Sequence, residues 1–121
     1  MVETYGLTHV GLAVRDPQRS IAFYTAVFGV HEYFRDEQQI QALGPGPHDV
    51  LAFERNPAQA GRPGGISHFG FRLKRPEDLD LAVADVLHAG GALIRRGEFC
   101  PGCPYAYVQD PDGHEIEIWF E

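Results

Sequence analysis

The sequence predicts an α+β protein made of two tandem βαβββ modules. A short motif near the start of the chain recurs in its second half, a proline-led helical segment follows each copy, and three strand-like runs follow each helix. A chain of 121 residues can bury one core but is short for two independent domains. We therefore expect one domain over residues 1–121, with modules at residues 1–56 and 66–121 and a linker at residues 57–65.

The recurring motif predicts the first strand of each module. Thr8-His9-Val10-Gly11-Leu12-Ala13-Val14 is echoed by Ser67-His68-Phe69-Gly70-Phe71-Arg72-Leu73. In both copies large apolar side chains alternate with small or polar ones, as in a strand that packs one face on a helix. The other face carries a histidine and a glycine, which leaves room beside the strand for a bound group.

The helix of each module is predicted to begin at a proline, Pro17 in the first module and Pro76 in the second. Asp16 is a suitable cap and Gly29 a suitable stop for the first helix, and Gly90-Gly91 ends the second. The residues at helical spacing that we expect in the core are Ile21, Tyr24, Val27 and Phe28 in the first helix and Leu79, Val83, Val86 and Leu87 in the second.

Three short strands complete each module, over residues 30–35, 38–43 and 49–54 in the first and residues 92–96, 105–109 and 114–120 in the second. The last strand follows the turn Asp110-Pro111-Asp112-Gly113. Residues in this strand alternate, so that Ile116, Ile118 and Phe120 share one face while Glu115, Glu117, Trp119 and Glu121 share the other.

Composition excludes some classes of function. The formal net charge of −7, without clustered Lys or Arg, argues against nucleic acid as a partner. The sequence shows neither a charged and apolar leader nor an apolar run long enough to cross a bilayer. We therefore expect a soluble, cytoplasmic protein.

The two cysteines, Cys100 and Cys103, are too few for a disulfide scaffold and fit a reducing compartment. Their spacing is that of a redox motif, but the motif precedes a strand instead of opening a helix, which disfavours thioredoxin-like chemistry. We expect residues 97–104 to form a loop in which either cysteine is a target for oxidation or for an inhibitory metal.

His9, His68 and Glu117 are predicted to lie on strand faces turned away from the helices. Two imidazoles and one carboxylate form a set that suits Fe, Mn, Co, Ni or Zn and leaves positions open for water or substrate. The alternative is that both histidines bond the backbone in the core and Glu117 is a surface charge. Because the two histidines hold matched positions in the repeat, we favour the metal site.

Four stretches of the chain resemble the vicinal oxygen chelate superfamily, which includes glyoxalase I, bleomycin-resistance proteins, fosfomycin-resistance enzymes and extradiol dioxygenases. They are residues 8–16, 20–24, 67–71 and 110–117. The resemblance covers essentially the whole chain and is specific for fold but not for reaction. It implies a glyoxalase-like fold, in which the two modules form a curved mixed sheet around a cavity, and a homodimer that exchanges modules between subunits.

The resemblance also implies that His9, His68 and Glu117 bind a divalent transition metal (Fe, Mn, Ni, Co or Zn), which in turn chelates adjacent oxygens of a small-molecule substrate. In an exchanged dimer, His9 would come from one subunit and His68 with Glu117 from the other. Tyr107 is the implied catalytic proton donor or hydrogen-bond stabiliser, and Glu54 or Glu115 is a more remote candidate base.

Individual branches of the superfamily match the chain unequally. Glyoxalase I usually has a fourth ligand where this chain has Ala52, although Glu54 points the same way one pleat further on. Fosfomycin transferases differ from the chain at Gly11 and at residues 100–104. Extradiol dioxygenases share the three ligands and a Tyr at the position of Tyr107, but their chains are generally longer and doubled.

Three side chains are candidates for substrate binding. Arg72 would meet an anionic group, or else form a salt bridge with one of the many carboxylates. Trp119 and Tyr105 would stack on a substrate or wall its pocket. We therefore predict a metal-dependent dioxygenase or a glyoxalase-like lyase. The alternatives are a metal-free drug-binding protein of the bleomycin-resistance type and a protein whose vestigial site has only a structural or regulatory role.

Overall fold

The computed structural model describes residues 1–121, which divide into two compact units, Met1–Ala60 and Gly61–Glu121. Each unit contains a strand, a helix and three further strands, which confirms the predicted α+β class and its two βαβββ modules. The elements are β1 (His9–Val14), α1 (Pro17–Phe28), β2 (His31–Arg35), β3 (Gln39–Leu43), β4 (Val50–Arg55), β5 (Phe69–Arg72), a 3₁₀ helix (Pro76–Asp78), α2 (Leu79–His88), β6 (Ala92–Glu98), β7 (Pro104–Gln109) and β8 (Glu115–Trp119). None of the helices is long and apolar enough to span a membrane.

The sheet of the first unit has the strand order β1-β4-β3-β2. Strands β1 and β4, the first and last of the unit, are parallel neighbours, and the other pairs are antiparallel. The core beside this sheet includes Leu12 and Val14 of β1, Phe53 of β4 and Tyr24 of α1, with the rings of Tyr24 and Phe53 5.0 Å apart. The pairing therefore brings together residues from opposite ends of the module.

Helix α1 has the predicted ends. The carboxylate of Asp16 accepts a hydrogen bond from the main-chain N–H of Gln18, and Pro17 occupies the first turn. Gly29 ends the helix with φ of 67°, a left-handed conformation that favours glycine.

The buried face of α1 differs in part from the prediction. Ile21 and Tyr24 are buried as predicted, but Val27 and Phe28 are only half-buried, and Phe23 is 1% exposed although it was not among the predicted core residues. The ring of Phe23 packs edge-on against those of Tyr24 and Phe28. The buried face is therefore broader than one stripe and is centred nearer the start of the helix.

The second unit repeats the arrangement with the strand order β5-β8-β7-β6. Pro76 opens a 3₁₀ turn, and the α-helix begins only at Leu79. Leu79, Val83 and Val86 are buried as predicted, but the prediction that Leu87 lies in the core is wrong, since its side chain is 53% exposed. Val86 already occupies the core at this level, and the next residue of a helix points about 100° away.

The strands of the second unit alternate as predicted. Ile116 and Ile118 of β8 and Ala106 and Val108 of β7 are fully buried, whereas the side chains between them are half-exposed on the opposite face. In β6 the alternation is interrupted by a bulge between Leu93 and Arg95, so that Arg95 and not Ile94 pairs with Tyr107.

The turn before β8 is held by Asp110, which is 4% exposed. Its Oδ1 atom accepts hydrogen bonds from the main-chain N–H groups of Asp112, Gly113 and His114 at 2.9, 2.9 and 3.0 Å. Gly113 has φ of 101°, which a residue with a side chain rarely adopts. The predicted turn chemistry therefore fixes the start of the last strand.

Cys100 and Cys103, which the sequence indicated to be reduced thiols, are joined by a disulfide in the turn between β6 and β7. The main-chain N–H of Cys103 donates a hydrogen bond to the carbonyl of Cys100, and this tight turn brings the two Cα atoms to 5.2 Å. That separation lies within the range that a disulfide spans.

Candidate functional site

His68 and Glu117 meet on one face of the second sheet. Strands β5 and β8 are parallel neighbours, and Gly70 is in register with Glu117. Since His68 lies two residues before Gly70, its side chain points to the same face. The Nε2 atom of His68 is 3.3 Å from Oε2 of Glu117, and the two side chains are 33% and 14% exposed. The structure thus brings together two of the three side chains that the sequence nominated as metal ligands.

The other nitrogen of His68 has a partner of its own. The hydroxyl oxygen of Ser67 lies 3.1 Å from Nδ1 of His68. A hydroxyl can accept a hydrogen bond from Nδ1–H, which leaves the lone pair of Nε2 available to a metal ion. The contact is compatible with the tautomer that a metal ligand requires, and also with a hydroxyl that donates to Nδ1 while Nε2–H faces Glu117.

Gly70 allows the side chain of Trp119 and the main chain of Glu117 to lie close against β5. A Cβ atom at this position would lie 3.1 Å from the main-chain oxygen of Glu117 and 3.3 Å from Nε1 of Trp119, closer than most Cβ atoms approach a neighbour. The imidazole of His68 and the carboxylate of Glu117 are suitable donors for Fe, Mn, Co, Ni or Zn.

Tyr107 adjoins both members of the pair. It is in register with Glu117 across β7 and β8, and its ring meets the imidazole of His68 edge-on at 5.1 Å. Burial raises the pKa of Tyr107 above its usual value, and the hydrogen bond and negative charge of Glu117 raise it further, against a lowering effect of Arg95. The phenol is therefore protonated at neutral pH and available as a hydrogen-bond donor.

Arg95 is a feature of this face that the sequence did not reveal. Its guanidinium carbon lies 3.9 Å from the centre of the Tyr107 ring, and its Nη2 atom is 3.6 Å from Oε1 of Glu115. Strict alternation along β6 would place Arg95 on the helix side, and only the bulge turns it to this face. The adjacent pairs Leu93-Ile94 and Arg95-Arg96, which break the alternation, were the signal in the sequence.

The three side chains predicted to bind substrate lie on the same face of this sheet. The guanidinium carbon of Arg72 is 5.3 Å from the centre of the Trp119 ring, and its Nη2 atom donates a hydrogen bond to the main-chain oxygen of Glu121. Tyr105 stacks on Phe99 with ring centres 4.5 Å apart and meets Tyr107 edge-on at 5.6 Å. A row of aromatic rings thus runs along β7.

His9, the third nominated ligand, lies in the first unit and is exposed. Gly11 is in register with Ala52, and a Cβ atom added to Gly11 would lie 3.3 Å from Oε1 of Glu54. Ala52 and Glu54 therefore share the face of β1 that carries His9 and Gly11, as the sequence predicted. Within the single chain, no group of three or more His, Cys, Asp or Glu side chains is placed to hold a metal ion.

Comparison with known proteins gives matches along most of the chain. A family model described as the Glyoxalase/Bleomycin resistance protein/Dioxygenase superfamily matches residues 6–118. The chain is 30% identical over 119 residues to a catechol-2,3-dioxygenase of Bacillus subtilis, an alignment that covers 93% of this chain and 41% of that protein. It is 32% identical over 119 residues to a probable trivalent organoarsenical cleaving enzyme of the same species, covering 93% of this chain and 77% of that protein.

The fold also matches solved structures. A genomically encoded fosfomycin resistance protein from Listeria monocytogenes superposes with a TM-score of 0.82 at 20% identity, covering 98% of this chain and 95% of that one. This likeness shows a shared fold. The chain spans less than half the length of the catechol-2,3-dioxygenase that it matches, at 41% of that protein.

Proposed function

The chain belongs to the glyoxalase/bleomycin resistance protein/dioxygenase superfamily, and from this we propose that it is a metal-dependent enzyme that chelates adjacent oxygens of a small substrate. The observation that carries the proposal is the approach of His68 Nε2 to Glu117 Oε2, at 3.3 Å on a partly exposed face. A protonated imidazole could form the same contact as an ion pair. The matched positions of His9 and His68 in the two modules favour a metal site over that alternative, and the contact of Ser67 with Nδ1 is compatible with it.

The proposed ligands are His9, His68 and Glu117, with a divalent ion drawn from Fe, Mn, Ni, Co and Zn. Such an ion, when bound, supplies Lewis acidity and a template for two neighbouring oxygens. We place His9 of one subunit with His68 and Glu117 of another, in a homodimer of the kind that the resemblance implies. Each site would then need two copies of the chain.

Tyr107 is the proposed proton donor. Its phenol is protonated at neutral pH and hydrogen-bonds the carboxylate of Glu117. In this position the phenol holds Glu117 in place and keeps a proton within reach of a substrate oxygen beside His68. Trp119 and the aromatic row of Phe99, Tyr105 and Tyr107 would contact the flat part of a substrate.

Among the reactions of the superfamily we favour a dioxygenase-like one, with a catechol-type substrate. The relative named catechol-2,3-dioxygenase supports this choice. Ala52 stands where glyoxalase I usually has its fourth ligand, which disfavours the lyase. The aromatic row favours the second candidate, a metal-free drug-binding protein of the bleomycin-resistance type.

Metal analysis separates the two candidates. The wild-type protein, His68→Ala and Glu117→Gln would be loaded with Fe(II) or Zn(II), freed of excess metal, and assayed for bound metal. His88→Ala, a change on the exposed end of α2, is the matched control. The proposal expects about one ion per subunit in the wild type and the control and a large loss in the other two variants. Equal metal retention in all four proteins would refute it.

A mixing experiment tests the shared site. His9→Ala and His68→Ala would each be inactive alone, but a dimer formed from one copy of each retains one intact set of three ligands if sites are shared between subunits. Co-expression of the two variants should therefore restore metal binding and catechol cleavage in part. Two inactive variants that stay inactive when co-expressed in a common dimer would contradict the sharing of ligands.

A further inference from the structure

We propose that Arg95 recognises an acidic group on the substrate, so that the substrate is a catechol-type compound carrying a carboxylate. The inference rests on the proposed function, because it assigns the substrate class of the same site. It starts from the bulge in β6, which places Arg95 opposite Tyr107 on the face that carries His68 and Glu117.

The guanidinium is held in a defined orientation. Its carbon atom lies 3.9 Å from the centre of the Tyr107 ring, which is the geometry of a stacked cation–π contact. The ring and the phenol oxygen of Tyr107 engage part of the guanidinium, and its remaining N–H edges stay available. Because those edges match the two oxygens of a carboxylate, a stacked arginine is prepared to bind one with a fork of two hydrogen bonds.

Glu115 does not block this role. The nearest approach of Arg95 Nη2 to Glu115 Oε1 is 3.6 Å, which is beyond a normal hydrogen bond, and the side chains are 55% and 30% exposed. Exposed ion pairs of this kind contribute little to stability. A substrate carboxylate can therefore form two hydrogen bonds with the guanidinium, and the weak contact with Glu115 is lost at little cost in free energy.

The carboxylates on this face make a positive charge necessary for binding an acidic substrate. Glu115 and Glu117 would both repel an acidic substrate, and the protein carries a net charge of −7. Arg72, the other arginine on this face, already donates to the main-chain oxygen of Glu121 and lies over Trp119. Arg95 is the arginine that adjoins Tyr107, and Tyr107 adjoins His68.

The spacing suits one aromatic ring. Arg95 and His68 both contact the Tyr107 ring, with the guanidinium carbon 3.9 Å and the His68 ring centre 5.1 Å from its centre. The guanidinium carbon and the imidazole centre are therefore at most about 9 Å apart, a span that a catechol with a carboxylate can bridge. A catechol whose two oxygens approach His68 and Glu117 can direct a carboxylate on its far side toward Arg95.

Binding measurements test the inference. The chain contains a single tryptophan, Trp119, on the same face, so its fluorescence reports ligand binding. Zn(II)-loaded protein would be titrated with catechol, which is neutral, and with protocatechuate, a catechol with one carboxylate. Arg95→Met removes the charge and keeps a side chain of similar length. Arg95→Lys keeps the charge but cannot donate two parallel hydrogen bonds. Arg96→Met is the control, because Arg96 donates a hydrogen bond to Asp80 of α2.

The expected result is a change of selectivity. Arg95→Met should weaken protocatechuate binding by about tenfold or more, the range expected for losing a charged hydrogen bond, and leave catechol binding unchanged. The affinity of Arg95→Lys for protocatechuate should lie between those of the wild type and Arg95→Met. Arg96→Met should bind both ligands as the wild type does. A variant that merely damages the fold would weaken the binding of both ligands by a similar factor.

Two outcomes overturn the inference in different ways. If the binding of both ligands needs the metal and His68, but Arg95→Met changes the affinity for both by the same factor, only the role of Arg95 fails. If neither ligand binds the wild-type protein, or both bind equally well without metal and in His68→Ala, the proposed function fails and the role of Arg95 falls with it.

Discussion

Replacing Asp110 by alanine is expected to lower the free energy of unfolding by about 2–4 kcal/mol. Its Oδ1 atom accepts three main-chain hydrogen bonds at 2.9–3.0 Å in a residue that is 4% exposed. A single hydrogen bond to a charged group contributes about 1.5–3 kcal/mol, but three that share one oxygen contribute less than three times that amount. Water can also reach part of the turn in the variant.

Urea unfolding measured by the fluorescence of Trp119 provides the assay. Asp110→Asn is the matched control, because an amide oxygen can accept the same bonds without the charge, and it should lose less than half as much stability as Asp110→Ala. Metal-loaded Asp110→Ala should lose its metal at a lower urea concentration than the wild type does. The reason is that the turn sets the start of the strand that carries Glu117. A loss below about 0.5 kcal/mol in Asp110→Ala, within the range of ordinary surface changes, would refute the reasoning.

Three further predictions concern the site, the pH dependence and the core. Tyr107→Phe should lower kcat of the metal-loaded enzyme about a hundredfold with little change in bound metal, as measured by steady-state kinetics and metal analysis; an unchanged kcat would exclude the proton donor. Hydrogen bonds from the main-chain N–H groups of Gln38 and Gln39 lower the pKa of Asp36, so its contribution to stability should be present above its unfolded pKa and fade as pH falls through the folded pKa. Denaturation of Asp36→Asn and the wild type should therefore differ at neutral pH and converge in acid. Val86→Ala should lower the free energy of unfolding, measured with urea, by about 1–3 kcal/mol, and Leu87→Ala should lower it by less than about 0.5 kcal/mol. A larger loss in Leu87→Ala than in Val86→Ala would contradict the packing of α2.

The elements of the fold were predictable because each rests on local chemistry. Asp16, Pro17 and Gly29 bound α1 in the structure as their side chains and backbone preferences require. The alternation of β8 is equally local, since neighbouring residues of a strand point to opposite faces. The repeat then gave the order of strands and helices in the second unit from that in the first.

The features that the sequence did not reveal depend on neighbours distant in the chain. The burial of Phe23 and the exposure of Leu87 follow from the exact angle at which each helix meets its sheet. The bulge that turns Arg95 toward Tyr107 follows from pairing with β7, and strict alternation along β6 would place this residue on the other face.

The registers of the two sheets explain which positions carry metal-binding groups. In the second unit, the strand-opening motif places His68 two residues before Gly70, and Gly70 is in register with Glu117. In the first unit, His9 stands two residues before Gly11, and Gly11 is in register with Ala52. Because the pairing is equivalent, the first unit offers an imidazole at the position of His68 and a methyl group at the position of Glu117. In the proposed site, one copy of each unit would supply two imidazoles and one carboxylate, and the methyl group of Ala52 would leave open a coordination position that a carboxylate at that residue would fill.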